Sequence, residues 1–146
     1  METFRGSILI DASAKQVWQI LVDVGNWPKW NETVAKVTGS VALGSKIAIF
    51  AKLRPERAFS LRVSEFMSPF RMVWLSGMPF GLFRGKRTYR VTWESSGRTR
   101  FEMTEEFSGL MAPLISGSIP DLQQSFDEFA SCLKKASEQQ AQPSKF

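Results

Sequence analysis

The chain contains no histidine and a single cysteine, Cys132. Without histidine it lacks the commonest general base, the Ser-His and Cys-His nucleophile pairs, and the imidazole ligands of ordinary zinc sites. One thiol cannot close an intramolecular disulfide or build a thiolate metal cluster. Cys132 lies among Phe129 and Leu133 on a helical stripe with no adjacent base, so it reads as a small buried thiol. No metal and no cofactor is expected. Any catalysis must rest on Asp, Glu, Lys, Arg, Tyr or ordered water.

Long apolar runs are missing too. None approaches the roughly 18 residues that a membrane span needs, so stable membrane insertion is not expected. The opening METFRGSILIDASAK has Arg5 and Asp11 around a short apolar run and does not read as a signal peptide, which points to a cytoplasmic home. Lys and Arg number 19 against 14 Asp and Glu, for a net charge of +5 and a pI near 9.7. The cations are scattered rather than blocked, so they permit attraction to a polyanion without demanding one.

What is present is an ordinary globular composition, 43% hydrophobic and 23% charged over 146 residues, which fits one domain spanning residues 1–146. Residues 3–10 read as a strand with Phe4, Ile8 and Ile10 on one face. Ser13 then caps a helix, and Gln16 completes a capping box. Val17, Ile20, Leu21 and Val24 follow at helical spacing, and Gly25 is placed for a left-handed C-cap. In NWPKW, Asn26 suits the cap and Pro28 the first turn of a second short helix.

From residue 34 to 109 the apolar period shortens to 2, with turn residues at regular intervals. AFSLRVSEF sets Phe59, Leu61 and Val63 against Ser60, Arg62 and Ser64. Ser68-Pro69 turns the chain into FRMVWLSG, and TYRVTWESSGRTRFEMTEEFSG contains a hairpin. Six consecutive antiparallel strands are expected here. Ile115, Ile119, Leu122, Phe126, Phe129 and Leu133 then form one long helical stripe, with Pro120 and Asp121 in its first turn. Asp127-Glu128 and Lys134-Lys135 make a solvated helix face, and residues 140–146 form a fraying tail. The fold class is α+β: a curved seven-stranded antiparallel sheet wrapped around a long C-terminal helix, with two short helices after the first strand.

Three stretches carry a family likeness: IDASAKQVWQILVDVGNWPKW, TRFEMTEEFSGLMAPLI and FDEFASCLKK. With this order of elements the chain resembles the START-like or SRPBCC superfamily, the helix-grip fold of polyketide cyclases and lipid binders. The resemblance implies a deep cavity between sheet and C-terminal helix that holds an apolar or amphipathic small molecule. It does not imply one function. Geometry points the same way, because a sheet of seven strands is wider than the helix and leaves a gap. Either a ligand fills that gap, or side chains drawn from the 12 Phe, 5 Trp and 6 Met do.

The hairpin register decides which side chains face the gap. A three-residue loop, Ser95-Ser96-Gly97, places Glu94 opposite Arg98. It then pairs Trp93 with Thr99, Val91 with Phe101, Tyr89 with Met103 and Arg87 with Glu105, all on one face. Lys86, Arg90, Arg100 and Glu102 fall on the wet face. Rings and cations are thereby separated, which argues against a nucleic-acid sheet. Arg87 stands as a cation in an apolar row, and Glu105 can pair with it across the strands. The pair and Tyr89 are either polar groups of the cavity or a structural ion pair.

Further expected lining residues are Phe59, Leu61, Met72, Trp74, Met103, Leu122 and Phe126. Trp27 and Trp30 either pack the corner after the first helix, or Trp30 joins the lining. The apolar loop GMPFGLF is suited to a cavity lid or a homodimer contact. A carrier or sensor of a small hydrophobic molecule fits these features best. A polyketide cyclase or dehydratase using Arg87, Tyr89 and Glu105 is the enzymatic alternative. An interaction module using the basic face is a third.

Overall fold

A computed structural model describes residues 2–52, 55–112 and 122–141. The chain runs β1 (Glu2–Ile10), α1 (Ala14–Val22), a 3-10 turn (Val24–Asn26), α2 (Trp27–Trp30), β2 (Val34–Thr38) and β3 (Lys46–Ala51). It continues with β4 (Phe59–Met67), β5 (Arg71–Gly77), β6 (Arg84–Ser95), β7 (Arg98–Ser108) and α3 (Gln123–Ala141). The strands form one antiparallel sheet in the order β1-β7-β6-β5-β4-β3-β2. Hence β1 returns to pair with β7, and β2 is the far edge. The curled sheet holds α3 on its inner face, which is the expected fold class.

The start of α1 follows its sequence. Ser13 accepts a hydrogen bond from the Gln16 backbone N–H, and the Gln16 side chain accepts from Ser13 N–H, closing the capping box. Val17, Ile20, Leu21 and Val24 are buried as their spacing requires. Gly25 does not end the helix. The C-cap is Asp23, and Gly25 lies in the 3-10 turn, outside the left-handed region. Asn26 is the N-cap residue of α2, as expected, but its side chain makes no capping hydrogen bond, and its amide donates to Asp23 Oδ2 (2.6 Å). Ile115, Ile119, Pro120 and Asp121 lie outside the described residues, as does the tail from 142. Regular helix continues through Ala141, past the expected onset of fraying at 140.

Two devices fix α3 against β1. Gln123 Nε2 donates to the Arg5 carbonyl at one end (2.5 Å), and Glu138 Oε2 accepts from Asp11 N–H at the other (2.8 Å). Glu138 also pairs with Lys134, and these two donors hold its carboxyl below the ordinary range. Between the clamps the helix backbone nearly touches the strand. A Cβ at Gly6 would stand 3.0 Å from the Phe126 carbonyl oxygen. A side chain here would press the helix backbone away from the strand by a few tenths of an ångström.

The core is aromatic. Trp27 is stacked on Trp74 with centroids 5.6 Å apart, and Phe129 meets Trp27 edge-on at 4.9 Å. Trp27 Nε1 donates to the Leu21 carbonyl (3.0 Å), which satisfies the buried indole. Cys132 is half-buried rather than fully buried, because it lies between the two faces of α3.

Gly6→Val inserts a branched side chain where a backbone already sits, and is expected to lower unfolding free energy by about 1–3 kcal/mol. Thr3→Val, on the exposed side of the same strand, should change it by no more than about 0.5 kcal/mol. Urea unfolding of both variants checks the contrast.

Candidate functional site

The β6–β7 hairpin sets the site. Its loop is two residues, Ser96-Gly97, with Ser95 opposite Arg98 and a bulge at Glu94. This corrects the expected three-residue loop, and the bulge absorbs the difference. From Trp93 inward the pairs are those expected: Trp93 with Thr99, Val91 with Phe101, Tyr89 with Met103 and Arg87 with Glu105. Trp93 itself is not part of the inner wall. It adjoins the bulge, where alternation breaks, and is 65% exposed.

Arg87 Nη2 lies 3.3 Å from Glu105 Oε1, and the Glu105 side chain is wholly buried. The guanidinium is held between two rings, its carbon 5.3 Å from the centroid of Phe126 on α3 and 5.8 Å from that of Phe59 on β4. Phe59 was expected inside with Leu61 and Val63. It remains 40% exposed, at the start of its strand, with its ring turned to Arg87. Trp74 is opposite Arg87 on β5, and its indole meets the Tyr89 ring at 4.8 Å.

The polar atoms of this group are poorly matched. Seven buried side-chain N or O atoms among the described residues lack a hydrogen-bond partner, and four belong to these neighbours: Trp74 Nε1, Arg87 Nε, Tyr89 Oη and Glu105 Oε2. The charge of Arg87 acts on the Tyr89 phenol, yet the hydroxyl makes no hydrogen bond of acceptable geometry. Each unsatisfied buried group costs about 1–3 kcal/mol, so such a concentration is expensive to the fold.

Burial also moves the ionisations. It pushes the Tyr89 hydroxyl up to about 12, with Arg87 opposing in part. It raises the Glu105 carboxyl above its ordinary range, again against the pull of Arg87. For Arg87 burial acts downward, but Glu105 and then Tyr89 outweigh it and leave the guanidinium more basic than usual. Arg87 is therefore a permanent cation beside a reluctant carboxylate.

Of the other expected lining residues, Leu61, Met72, Trp74, Met103 and Phe126 are buried on the inner face, and Leu122 is half-buried just before α3. Trp30 is set apart, packing on Trp27 and Phe129 rather than on Arg87. Phe129 belongs to the expected helical stripe but not to the expected lining. Its ring touches Trp27, Trp30, Tyr89 and Phe101, so it closes the aromatic wall beside the polar group. Its place one turn after Phe126 was the available signal. Among the described residues no three His, Cys, Asp or Glu side chains converge on a point that could hold a metal ion.

A family model described as polyketide cyclase / dehydrase and lipid transport matches residues 1–138. The chain belongs to this family. No curated protein matches it. A hypothetical protein of Helicobacter pylori superposes with a TM-score of 0.73 at 15% identity, covering 93% of this chain and 88% of that one. The Zhui aromatase/cyclase from Streptomyces sp. R1128 gives 0.72 at 11% identity, with 97% and 96% covered. A START superfamily protein from Mycobacterium smegmatis gives 0.70 at 13%, with 94% and 98% covered. At such identities the likeness establishes the fold, and family membership supports ligand binding or cyclase chemistry in general terms. Among the described residues, no helix is long and apolar enough to cross a membrane.

The raised carboxyl of Glu105 has a signed consequence for stability. The folded chain holds this proton more tightly than the unfolded chain does. Stability therefore falls as pH rises from the ordinary carboxylate value to the raised native one. Glu105→Gln mimics the protonated carboxyl and removes that slope. Urea unfolding from about pH 4 to pH 8 should show the two proteins most alike at the acid end, with the wild type losing stability relative to the variant as pH rises, then levelling off.

Proposed function

We propose that the chain carries or senses a small hydrophobic or amphipathic molecule bound between the inner face of the sheet and α3. The observation that carries this reading is that four buried, unpartnered polar atoms belong to neighbouring side chains of three adjoining strands, in an otherwise aromatic wall. Trp74 Nε1 and Arg87 Nε donate, Glu105 Oε2 accepts, and Tyr89 Oη can do either. A carbonyl or hydroxyl head would satisfy several of them at once, while its apolar body packs on Met72, Met103, Leu122 and Phe126. Leu61 and Phe59 flank the Arg87 side, and Trp30 borders the far aromatic wall. The chain's membership of a family that includes lipid transport supports the same reading.

The raised Glu105 carboxyl favours one second reading, a cyclase or dehydratase. There Arg87 orients a carbonyl or enolate oxygen, and Glu105 or Tyr89 moves the proton. The two readings separate on turnover. Loss of cyclisation of a poly-β-keto substrate in Arg87→Ala and Glu105→Gln, with both variants folded, favours the enzyme.

For the carrier, apolar molecules with and without a carbonyl or hydroxyl head are compared by thermal shift and titration. Headed molecules are expected to raise the melting temperature more than headless ones. Arg87→Leu should weaken the headed ones by about tenfold to a hundredfold and leave the others nearly unchanged. If no molecule shifts the melting temperature, and solvent extracts of the purified protein contain no apolar compound, the reading fails.

A further inference from the structure

A second concavity lies away from the Arg87 group. This cleft of about 460 Å³ is bordered by β3, β4, β5 and the start of β6, together with the 77–83 loop. Register explains its charge. Lys46 pairs with Arg62, and Arg62 with Leu75, so two cations stand side by side on the outer face. Gly77 opposite Arg84 brings a third to the same cleft. Like charges on neighbouring strands are unfavourable, and among the described residues no carboxylate lines the cleft to offset them. Among the described residues, none of the three cations enters an ion pair.

The adjoining loop is unusual in a different way. Phe80 is 97% exposed, and its φ of 61° lies in the left-handed region that bulky L-residues avoid. The backbone thus accepts strain to present a ring to water, which contributes nothing to the core. The turn after β7 lies against this loop, with Met111 N–H donating to the Leu82 carbonyl (2.7 Å). That turn exposes Leu110 by 84%. Met78 and Leu82 are exposed as well, so four apolar side chains project beside three unpaired cations.

We propose that this end of the molecule docks on an anionic lipid surface. Phe80 and Leu110 enter the headgroup boundary, and Lys46, Arg62 and Arg84 take lipid phosphates at the cleft. Charge selects this occupant. A second copy would bring the same three cations and a net +5 against +5. An anionic bilayer offers phosphates for the cations and an apolar boundary for Phe80 and Leu110. The inference is independent of what the Arg87 group binds.

Sedimentation with vesicles tests it, using phosphatidylcholine alone and phosphatidylcholine with about one third phosphatidylglycerol. The wild type is expected to bind the mixed vesicles at least about tenfold more tightly at low salt, and to release as salt rises. Lys46→Gln, Arg62→Gln and Arg84→Gln should each weaken that binding about fivefold. Phe80→Ser with Leu110→Ser should weaken it further without lowering the melting temperature, because both side chains stand in water. Absence of binding at low salt overturns the proposal, as does binding that these substitutions leave unchanged. It is also overturned if the serine pair merely splits a dimer in sedimentation velocity. Saturation by inorganic phosphate without vesicle binding would reduce the cleft to a small-anion site and overturn the docking role.

Discussion

The inner face of the sheet is organised around a cation that has been taken out of water. Arg87 sits in a strand whose neighbours on that face are Tyr89 and Val91, and it is tolerable there only because Glu105 lies directly across. That requirement fixes the hairpin. A slip of one residue would turn Glu105 outward and bring Glu106 in its place at a different height. The pairing is also incomplete, since one 3.3 Å contact uses little of the hydrogen-bonding capacity of either group. Phe59 and Phe126 close over the guanidinium from the sheet and from the helix. Helix position, strand register and the proposed ligand chemistry therefore meet at one side chain.

Buried ion pairs are weak evidence for stability, because desolvation consumes much of the Coulombic gain. An apolar pair of similar volume would suit the fold at least as well. Packing alone therefore does not account for Arg87 and Glu105 with their free donors and acceptors, and the proposed ligand head is drawn from that mismatch. The aromatic residues divide accordingly. Trp27, Phe101 and Phe129 fill the part of the gap near α1 and α2, while Phe59 and Phe126 border the charged part.

Much of this was legible in the residues because the signals were short-range. The Ser13–Gln16 box, the alternation in FSLRV and the Arg87–Glu105 register all depend on neighbours a few residues away or across one turn. Gly25 misled because glycine suits a 3-10 turn as well as a left-handed cap. Trp93 misled because a bulge leaves no mark in the alternation before it. The close approach at Gly6 was invisible, since its partner is a helix backbone some 120 residues later. The four unpartnered atoms could not be foreseen either. Sequence places side chains on a face, but it does not say which of their atoms find partners.

The fixing of α3 to one strand has a mechanical meaning. The helix is anchored to β1 near both ends and rests on it without an intervening side chain at Gly6. It also packs against β7, α1 and α2, and α2 in turn packs on β2 at the opposite edge of the sheet. The helix is thus pinned at one edge and braced towards the other, like a beam seated at one wall and propped near the next. Its fixed seat on β1 sets how far Phe126 reaches over Arg87.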